Sequence, residues 1–320
     1  MNKHIMNQGH GVCVLSGGVG GAKLVLGLSK VLNPEEFMVV CNTGDDFVHL
    51  GLHISPDIDT VLYTLADLVD EQRGWGLKNE TWNFIEGIKS LGGEGWFNLG
   101  DRDLATHVER TRRIRAGESI SEVTQSLSQA LKLKNKVIPM TDSPVQTIVE
   151  TVDGPLAFQH YFVRDKCLPK VTGFRFEGIE TSRPSARILE FFSKNRTSLL
   201  IAPSNPFVSI DPIIGIPGFL ETLKSLPGPK LAVSPIVNGA AIKGPAAKMM
   251  KELGIPSTSV EVARHYRNLI DVLVIDQSDH EHMPEIEDLG IKVFITKTIM
   301  HTLEDRIVLA KECLKFISCL

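Results

Sequence analysis

The sequence is marked first by what it lacks. Neither charge dominates: 34 Lys and Arg stand against 38 Asp and Glu, for a net charge of −4. No global field therefore draws the chain onto nucleic acid or an anionic membrane. No apolar run approaches the ~18 residues that a membrane helix needs. The opening MNKHIMNQGHG is polar and has no apolar signal core. Its five cysteines, Cys13, Cys41, Cys167, Cys313 and Cys319, are odd in number and widely spread. They form no CxxC and have no nearby His, which argues against a disulfide framework or a zinc site. Internal repeats and low-complexity segments are also missing. The expectation is a cytoplasmic protein with neither nucleic-acid nor membrane partners. Its 42% hydrophobic and 22% charged residues are ordinary for a globular protein, and its 320 residues suffice for one large α/β domain or two smaller ones.

What is present is a series of short, continuous apolar runs: Val12–Leu15, Phe37–Cys41, Lys136–Met140, Ser198–Pro203, Lys230–Pro235, Asp271–Asp276 and Lys292–Thr296. Continuous rather than alternating apolar residues mark strands buried on both faces. Helical periodicity between them predicts βαβ units, and so a Rossmann-like, mainly parallel, doubly wound α/β sheet. Gln146–Arg164 holds two strand-like runs around Asp153-Gly154 and predicts a β-hairpin at a sheet edge. Helices are expected over Pro56–Asp70, Glu80–Leu91, Leu104–Ala116 and Ser119–Leu131, the last opened by a Ser119/Glu122 capping box. The predicted organisation is a nucleotide-binding core over residues 11–60 and 136–320, with a helical insertion or cap at 61–135.

In such sheets ligands lie beyond the carboxyl ends of the strands. The first strand is followed by Ser16 and the glycines Gly17, Gly18, Gly20 and Gly21. Glycines let backbone N–H groups approach a phosphate, and the helix N-terminus that follows favours an anion. The loop matches neither a P-loop, since no Ser or Thr follows Lys23, nor a dinucleotide fingerprint, whose third Gly is replaced by Lys23. Four carboxylates follow the second strand: Asp45, Asp46, Asp57 and Asp59. Ser55 as N-cap and Pro56 at the first helical position would put Asp57 and Asp59 in the first turn. Helix capping alone explains Asp57 but not the whole set. Carboxylates beside a phosphate loop suit Mg2+, which shares its oxygen ligands with substrate phosphates.

Two further stretches matter. In Trp96–Gly117, Asp101 or Asp103 can cap a helix on which His107 lies about a turn beyond Asp103. Arg102, His107 and Arg110 read either as a phosphate or substrate clamp or as part of a solvated basic helix; Arg112, Arg113 and Arg115 read as surface. In Pro203–Gly218, Ser204, Asn205 and Ser209 offer small donors and acceptors to a base or ribose, on a loop stiffened by proline.

Together, SGGVGGAKL, NTGDD, PDIDTVLYTL, GWG.KNETWN, LGDRDLATH, P.TDSPVQT, APSNPFVSI.PI and SPIVNG…KGPA resemble the 2-phospho-L-lactate transferase family of coenzyme F-420 biosynthesis. The likeness covers nearly the whole chain, and the pairing of PDIDT with LGDRDLATH is its most specific part. The resemblance implies a Mg2+-dependent transferase with a Rossmann-like fold, acting as a homodimer. It implies transfer of a phospho-acid, 2-phospho-L-lactate or phosphoenolpyruvate, from a guanosine-diphosphate-linked donor. The acceptor is the ribityl hydroxyl of 7,8-didemethyl-8-hydroxy-5-deazariboflavin, and GMP is released. On the same basis Asp59 takes a deazaflavin-contact position, with a second on Asn98. Some of Asp45, Asp46, Asp57 and Asp59 supply the metal ligands, and the glycine loop with Ser204, Asn205 and Ser209 holds the nucleotide. Arg102 and His107 hold the acid, and Asp57, Asp59, Arg102 and His107 form the catalytic set.

Two other readings compete. A sister group in the same superfamily consists of non-enzymatic, nucleotide-sugar-binding metabolic regulators. On resemblance these carry a Gly/Ser-rich stretch after the acidic pair, where this chain has FVHLGLHISPDID. An NAD-dependent Rossmann enzyme would use Asp45 or Asp46 on the ribose, but the missing third glycine argues against it.

Overall fold

The computed structural model describes residues 9–319, the side chains of residues 318 and 319 excepted. Residues 1–8 of the polar opening and the side chain of Cys319 thus lie outside the described residues.

Each continuous apolar run becomes one strand of a single sheet. The chain opens with β1 (His10–Ser16), α1 (Gly18–Val31) and β2 (Phe37–Cys41). A small hairpin, β3 (Phe47–His49) and β4 (Leu52–Ile54), leads into four helices. These are α2 (Pro56–Leu65), α3 (Asn83–Ser90), α4 (Asp103–Arg115) and α5 (Ile120–Ala130). Strand β5 (Lys136–Pro139) follows, then β6 (Gln146–Thr151), β7 (Gly154–Ala157), β8 (Val171–Glu177) and α6 (Ala186–Lys194). The sheet is completed by β9 (Arg196–Ile201), β10 (Lys230–Val233), β11 (Val272–Asp276) and β12 (Lys292–Thr296), and the C-terminal helix is α7 (Leu303–Cys319).

The sheet order is β12-β11-β10-β9-β1-β2-β5, and every neighbouring pair is parallel. From β1 the chain moves outward through β2 to β5, then returns to β9 and moves outward the other way. The order therefore reverses between β1 and β9, which places a ligand crevice beyond their carboxyl ends. The continuous apolar pattern has the expected cause. Val12 and Val14 pack into one core with Leu24, Leu28, Ile58 and Leu309, while Cys13 and Leu15 pack into another with Met38, Ile188 and Phe191.

Four local expectations differ from the structure. The hairpin around Asp153-Gly154 forms, but β6 pairs with β7 and β8 in a separate three-stranded antiparallel sheet rather than joining the edge of the main one. Its second strand stops at Ala157, and His160–Arg164 coils into a wide helical turn. Helix α2 ends at Leu65, five residues before the expected Asp70, and Asp67 two residues on has a left-handed φ of 57°. Ser55 occupies the N-cap position of α2, but its hydroxyl donates to Asp46 instead of capping the helix. The Ser119/Glu122 capping box is formed as read. Cys13, Cys41, Cys167 and Cys313 are free thiols, and no described helix is long and apolar enough to cross a membrane.

Helix α1 crosses α7 at close range, and Gly27 permits it. A Cβ at Gly27 would fall on the backbone carbonyl of Arg306 and press on Ala310. Alanine within a helix is ordinarily better than glycine by about 1 kcal/mol. Here Gly27→Ala is expected instead to destabilise, by about 1–3 kcal/mol, because a backbone carbonyl cannot rotate aside. Urea unfolding checks it, and a stabilised variant would contradict the packing described.

Candidate active site

The crevice at the β1/β9 reversal opens into a cavity of about 500 Å3. Its floor is built from the two strand ends, which local polar bonds fasten together. The Ser204 hydroxyl accepts from the Gly17 N–H at 3.1 Å and donates to the Gly17 carbonyl at 2.8 Å. Gly20 has no room for a side chain, since a Cβ would meet the Pro203 carbonyl, and one on Gly21 would meet the Ser16 and Ser204 hydroxyls. Gly18 has a φ of 65° and open space around it, so it turns the chain into α1 facing the cavity.

One carboxylate occupies the start of that helix. Asp57, at the N-terminus of α2, accepts from the Gly18 N–H at 2.6 Å and from the Asn42 amide at 3.0 Å. Asn42 follows β2, and its amide also donates to the Val208 carbonyl at 3.2 Å. One Asn–Asp pair thus joins the ends of β1 and β2, α2 and the turn after β9. Val19 and Gly20, in the first turn of α1 where backbone N–H groups have no helical acceptor, line the cavity.

Beside Asp57 sits Asp45, which also lines the cavity. Burial raises the Asp45 carboxyl well above its usual range, and the charge of Asp57 raises it further. Burial pushes Asp57 up to about 6, against its hydrogen bonds from Asn42 and Gly18. Among the described residues nothing hydrogen-bonds the buried Asp45 Oδ1. Two crowded carboxylates with an unpaired oxygen are short of positive charge, and they fit a divalent cation of the Mg2+ type. Such an ion needs only one or two carboxylates when phosphates and water supply the rest. Among the described residues no three His, Cys, Asp or Glu side chains group as metal ligands. The four aspartates read from the sequence do not converge as a set. Asp46 is held by His53 at 3.1 Å and Ser55 at 2.7 Å and is not part of the cavity wall.

Asp59 is engaged differently. It lies on the inner face of α2, where both its oxygens accept from the guanidinium of Arg110 on α4, NH1 to Oδ2 at 3.0 Å. Arg110 has no exposed surface, and despite its burial the Asp59 charge holds its pKa above the usual value. Around this pair the helical periods align: Asp59 and Tyr63 four apart on α2, Asp103, His107 and Arg110 at intervals of four and three on α4. The Tyr63 hydroxyl donates to Asp103 at 2.5 Å. His107 stands with Nε2 3.4 Å from Asp103 and Nδ1 3.7 Å from Asp59. Burial alone would raise Asp103, but His107 and Tyr63 outweigh it and hold the carboxyl below its usual range. Burial, then the charges of Asp59 and Asp103, push the Tyr63 hydroxyl well up.

This arrangement revises the sequence-read clamp. His107 lines the cavity, but Arg110 lies behind Asp59, and Arg102 is exposed outside it, donating to the Lys78 carbonyl at 2.8 Å. The physical reason is helix phase: Arg102 precedes α4, whose inner face carries residues 103, 107 and 110. Neither Asp101 nor Asp103 caps α4. Glu80 accepts from the N–H groups of Arg102 and Asp103, while Asp101 accepts from those of Asn83 and Phe84 and so caps α3. The two helix starts are capped reciprocally. Of the other sequence-read residues, Gly17, Gly18, Gly20, Asn98, Ser204, Asn205 and Ser209 line the cavity, and Gly21 does not. The Asn205 side chain accepts from the Phe207 N–H at 3.0 Å, which bends the loop after β9.

Several wall residues escaped the sequence reading. An apolar side is formed by Trp75, Phe97, Phe158 and Phe162, with the rings of Phe158 and Phe162 stacked 5.4 Å apart. Lys23, Arg73 and Lys243 add positive charge. Only Lys23 left a usable signal, since it follows Val19 and Gly20 on one face of α1.

The family model described as 2-phospho-L-lactate transferase CofD matches residues 12–297. The chain is 41% identical to the 2-phospho-L-lactate transferase of Methanosarcina mazei over 291 residues, 91% of this chain and 95% of that protein. It is likewise 41% identical to the one of Methanocaldococcus jannaschii over 309 residues, 95% of this chain and 97% of that protein. It is 36% identical to a phosphoenolpyruvate transferase of Kitasatospora aureofaciens over 310 residues, 95% and 96% of the two. Among solved structures, a UPF0052 family member from Bacillus halodurans shares the fold, with a TM-score of 0.62 at 14% identity over 98% of this chain and 99% of that one.

The buried ion pair is directly testable. Arg110→Met leaves Asp59 without its cation, and the expected loss is about 3–5 kcal/mol of stability. The double variant Asp59→Asn, Arg110→Met removes both charges and is expected to recover part of that loss in chemical denaturation. Equal losses in the single and double variants would refute the coupling.

Proposed function

The chain belongs to the 2-phospho-L-lactate transferase family, and from that membership we propose how its cavity works. It is an enzyme of coenzyme F-420 biosynthesis, in the transferase class that takes in 2-phospho-L-lactate and phosphoenolpyruvate transferases. The relatives described above lend no support to the non-enzymatic, nucleotide-sugar-binding alternative. The observation that carries the mechanism is the meeting, on one cavity, of the glycine loop, the Asp45/Asp57 pair and the Asp59–Arg110 network.

The donor is a three-carbon acid joined through phosphate to GMP, and the acceptor is the ribityl hydroxyl of the deazaflavin. The hydroxyl oxygen bonds to the phosphorus that bears the acid. The bond from that phosphorus to the bridging oxygen breaks, and GMP leaves with the oxygen. Phosphoryl chemistry of this kind depends on alignment and charge neutralisation more than on covalent catalysis. The N–H groups of Val19 and Gly20 and the start of α1 face the diphosphate. Asp45 and Asp57 are the residues that would hold Mg2+; when bound, the ion supplies positive charge against the diphosphate oxygens. Asp46 lies off the cavity wall and the Asp59 charge is already matched by Arg110, so both are left out of this metal set.

Asp59 orients the attacking hydroxyl. Each Asp59 oxygen accepts from Arg110 and keeps a second lone pair for the acceptor. His107 is held in the same network, with Nδ1 3.3 Å from the Arg110 N–H donor and Nε2 3.4 Å from Asp103, so Asp59 is the group placed to take up the hydroxyl proton. The apolar side at Phe97, Phe158 and Phe162, with Asn98 at its rim, suits a flat aromatic acceptor. A cytoplasmic homodimer completes the proposal.

Asp59→Ala leaves the buried Arg110 charge unpaired and is expected to destabilise by about 3–5 kcal/mol; in the fraction that remains folded, kcat is expected to fall by at least about 100-fold, and unchanged turnover per folded molecule would remove Asp59 from the mechanism. Asp45→Asn is expected to raise the Mg2+ concentration for half-maximal turnover about ten-fold or more. A magnesium titration of the initial rate reads it, and an unchanged midpoint would move the metal elsewhere. Thermal shifts with GDP, a UDP-sugar and NAD, each with and without Mg2+, test the ligand class. GDP with Mg2+ is expected to stabilise most, and stabilisation by the UDP-sugar alone would overturn the assignment.

A further inference from the structure

We propose that Lys23, Arg73 and Lys243 form a second anion site in this cavity, which binds the carboxylate of the donor's three-carbon acid. The proposal rests on the transferase reading above and adds a named subsite to it.

All three cations line the one cavity, although they come from α1, the 70–78 segment and the loop before residue 246. Packing brings them together at the first turn of α1. A Cβ on Gly74 would meet Lys243 Nζ and lie 3.5 Å from a Val19 methyl carbon, so this segment holds Lys243 against the helix start. Lys23 lies one turn along the same face. Arg73 is fixed before any ligand arrives: it pairs with Asp70 at 3.0 Å and donates to the Leu77 carbonyl at 2.9 Å. Its guanidinium packs 5.5 Å and 5.0 Å from the ring centres of Trp75 and Trp82. Its Nε is buried and has no hydrogen-bond partner.

Among the described residues, the acids nearby pair with Arg73 but not with Lys23 or Lys243. Asp70 is engaged by Arg73, and Glu71 by Arg306 at 2.9 Å. Lys23 Nζ donates only to the Met300 carbonyl, at 2.8 Å, and Lys243 has no hydrogen bond or ion pair among the described residues. Burial first, then the like charges of Arg306 and Lys243, lower the Lys23 pKa, with Glu71 opposing. The positive charge of Lys23 and Lys243, which no described acid pairs with, is stabilised by a bound anion.

The donor has two anionic regions, a diphosphate and a carboxylate. The glycine loop and the Asp45/Asp57 pair already suit the diphosphate. A ribityl deazaflavin brings no carboxylate of its own. The ammonium groups of Lys23 and Lys243, with the remaining NH1 of Arg73 beside them, suit the carboxylate that remains. Lactate and enolpyruvate donors both carry it, so the subsite would accept either.

The test separates carboxylate from diphosphate. In Lys243→Met, an exposed position, and Lys23→Met, kcat/KM for the donor is expected to fall about ten-fold to a hundred-fold. The Kd of GDP with Mg2+, measured by calorimetry, is expected to stay within about two-fold of the parent value, because GDP lacks the acid. A donor carrying the methyl ester is expected to react poorly with the parent enzyme, with no further loss in Lys243→Met. Weakening of GDP by the same factor as the donor would assign the cations to the diphosphate and overturn the proposal, as would an unchanged kcat/KM in both variants. A parent enzyme that neither binds GDP nor turns over the donor would instead overturn the transferase reading on which the subsite rests.

Discussion

A guanidinium with no exposed surface, Arg110 on α4, grips both oxygens of Asp59 on α2, and much of the site depends on that contact. It ties a helix packed on the sheet to a helix in the segment between β2 and β5. Either charge alone would be costly to bury, so each fixes the position of the other. The pair sets the register between α2 and α4, and that register brings Tyr63, Asp103 and His107 within contact. The two most specific sequence motifs, PDIDT and LGDRDLATH, are the two halves of this interaction.

The glycine loop takes its character from a similar economy of partners. In a free phosphate loop the first N–H groups would all face the ligand. Here Ser204 takes the Gly17 N–H and Asp57 takes that of Gly18, which leaves Val19 and Gly20 to the cavity. The carboxylate at the helix start also crowds Asp45 and raises its carboxyl. On the proposed function the loop combines an anion-binding surface with an acidic pair, a combination suited to a diphosphate carrying its own metal. It explains why the stretch matches neither a P-loop nor a dinucleotide fingerprint.

Much of the architecture was legible because burial on both faces leaves a direct trace in composition. Seven continuous apolar runs gave seven parallel strands, and the positions of the glycine loop, Asp57 and Ser204 followed from strand ends. The hairpin at Asp153-Gly154 was legible as a turn but not in its place, since local pattern does not say which sheet a strand joins. Arg102 and Arg110 were read alike because both are arginines near one helix, yet helix phase buries one and exposes the other. The caps of α3 and α4 were illegible for another reason. Glu80 and Asp101 each serve a helix start distant in sequence, which no local capping rule anticipates.

The sequence by itself determined the sheet, the order of its strands' chemistry and the residue types at their carboxyl ends, because periodicity and turn residues act over short range. Only the tertiary structure decided which charges neutralise one another. It sent Asp46 to His53, Asp59 to Arg110 and Asp57 to the start of α1, and it left Asp45 with an unpaired oxygen. It also gathered Lys23, Arg73 and Lys243 from three separate segments onto one wall. The energy of a charge is fixed by what lies within a few ångströms of it, and in a folded chain those neighbours come from anywhere in the sequence.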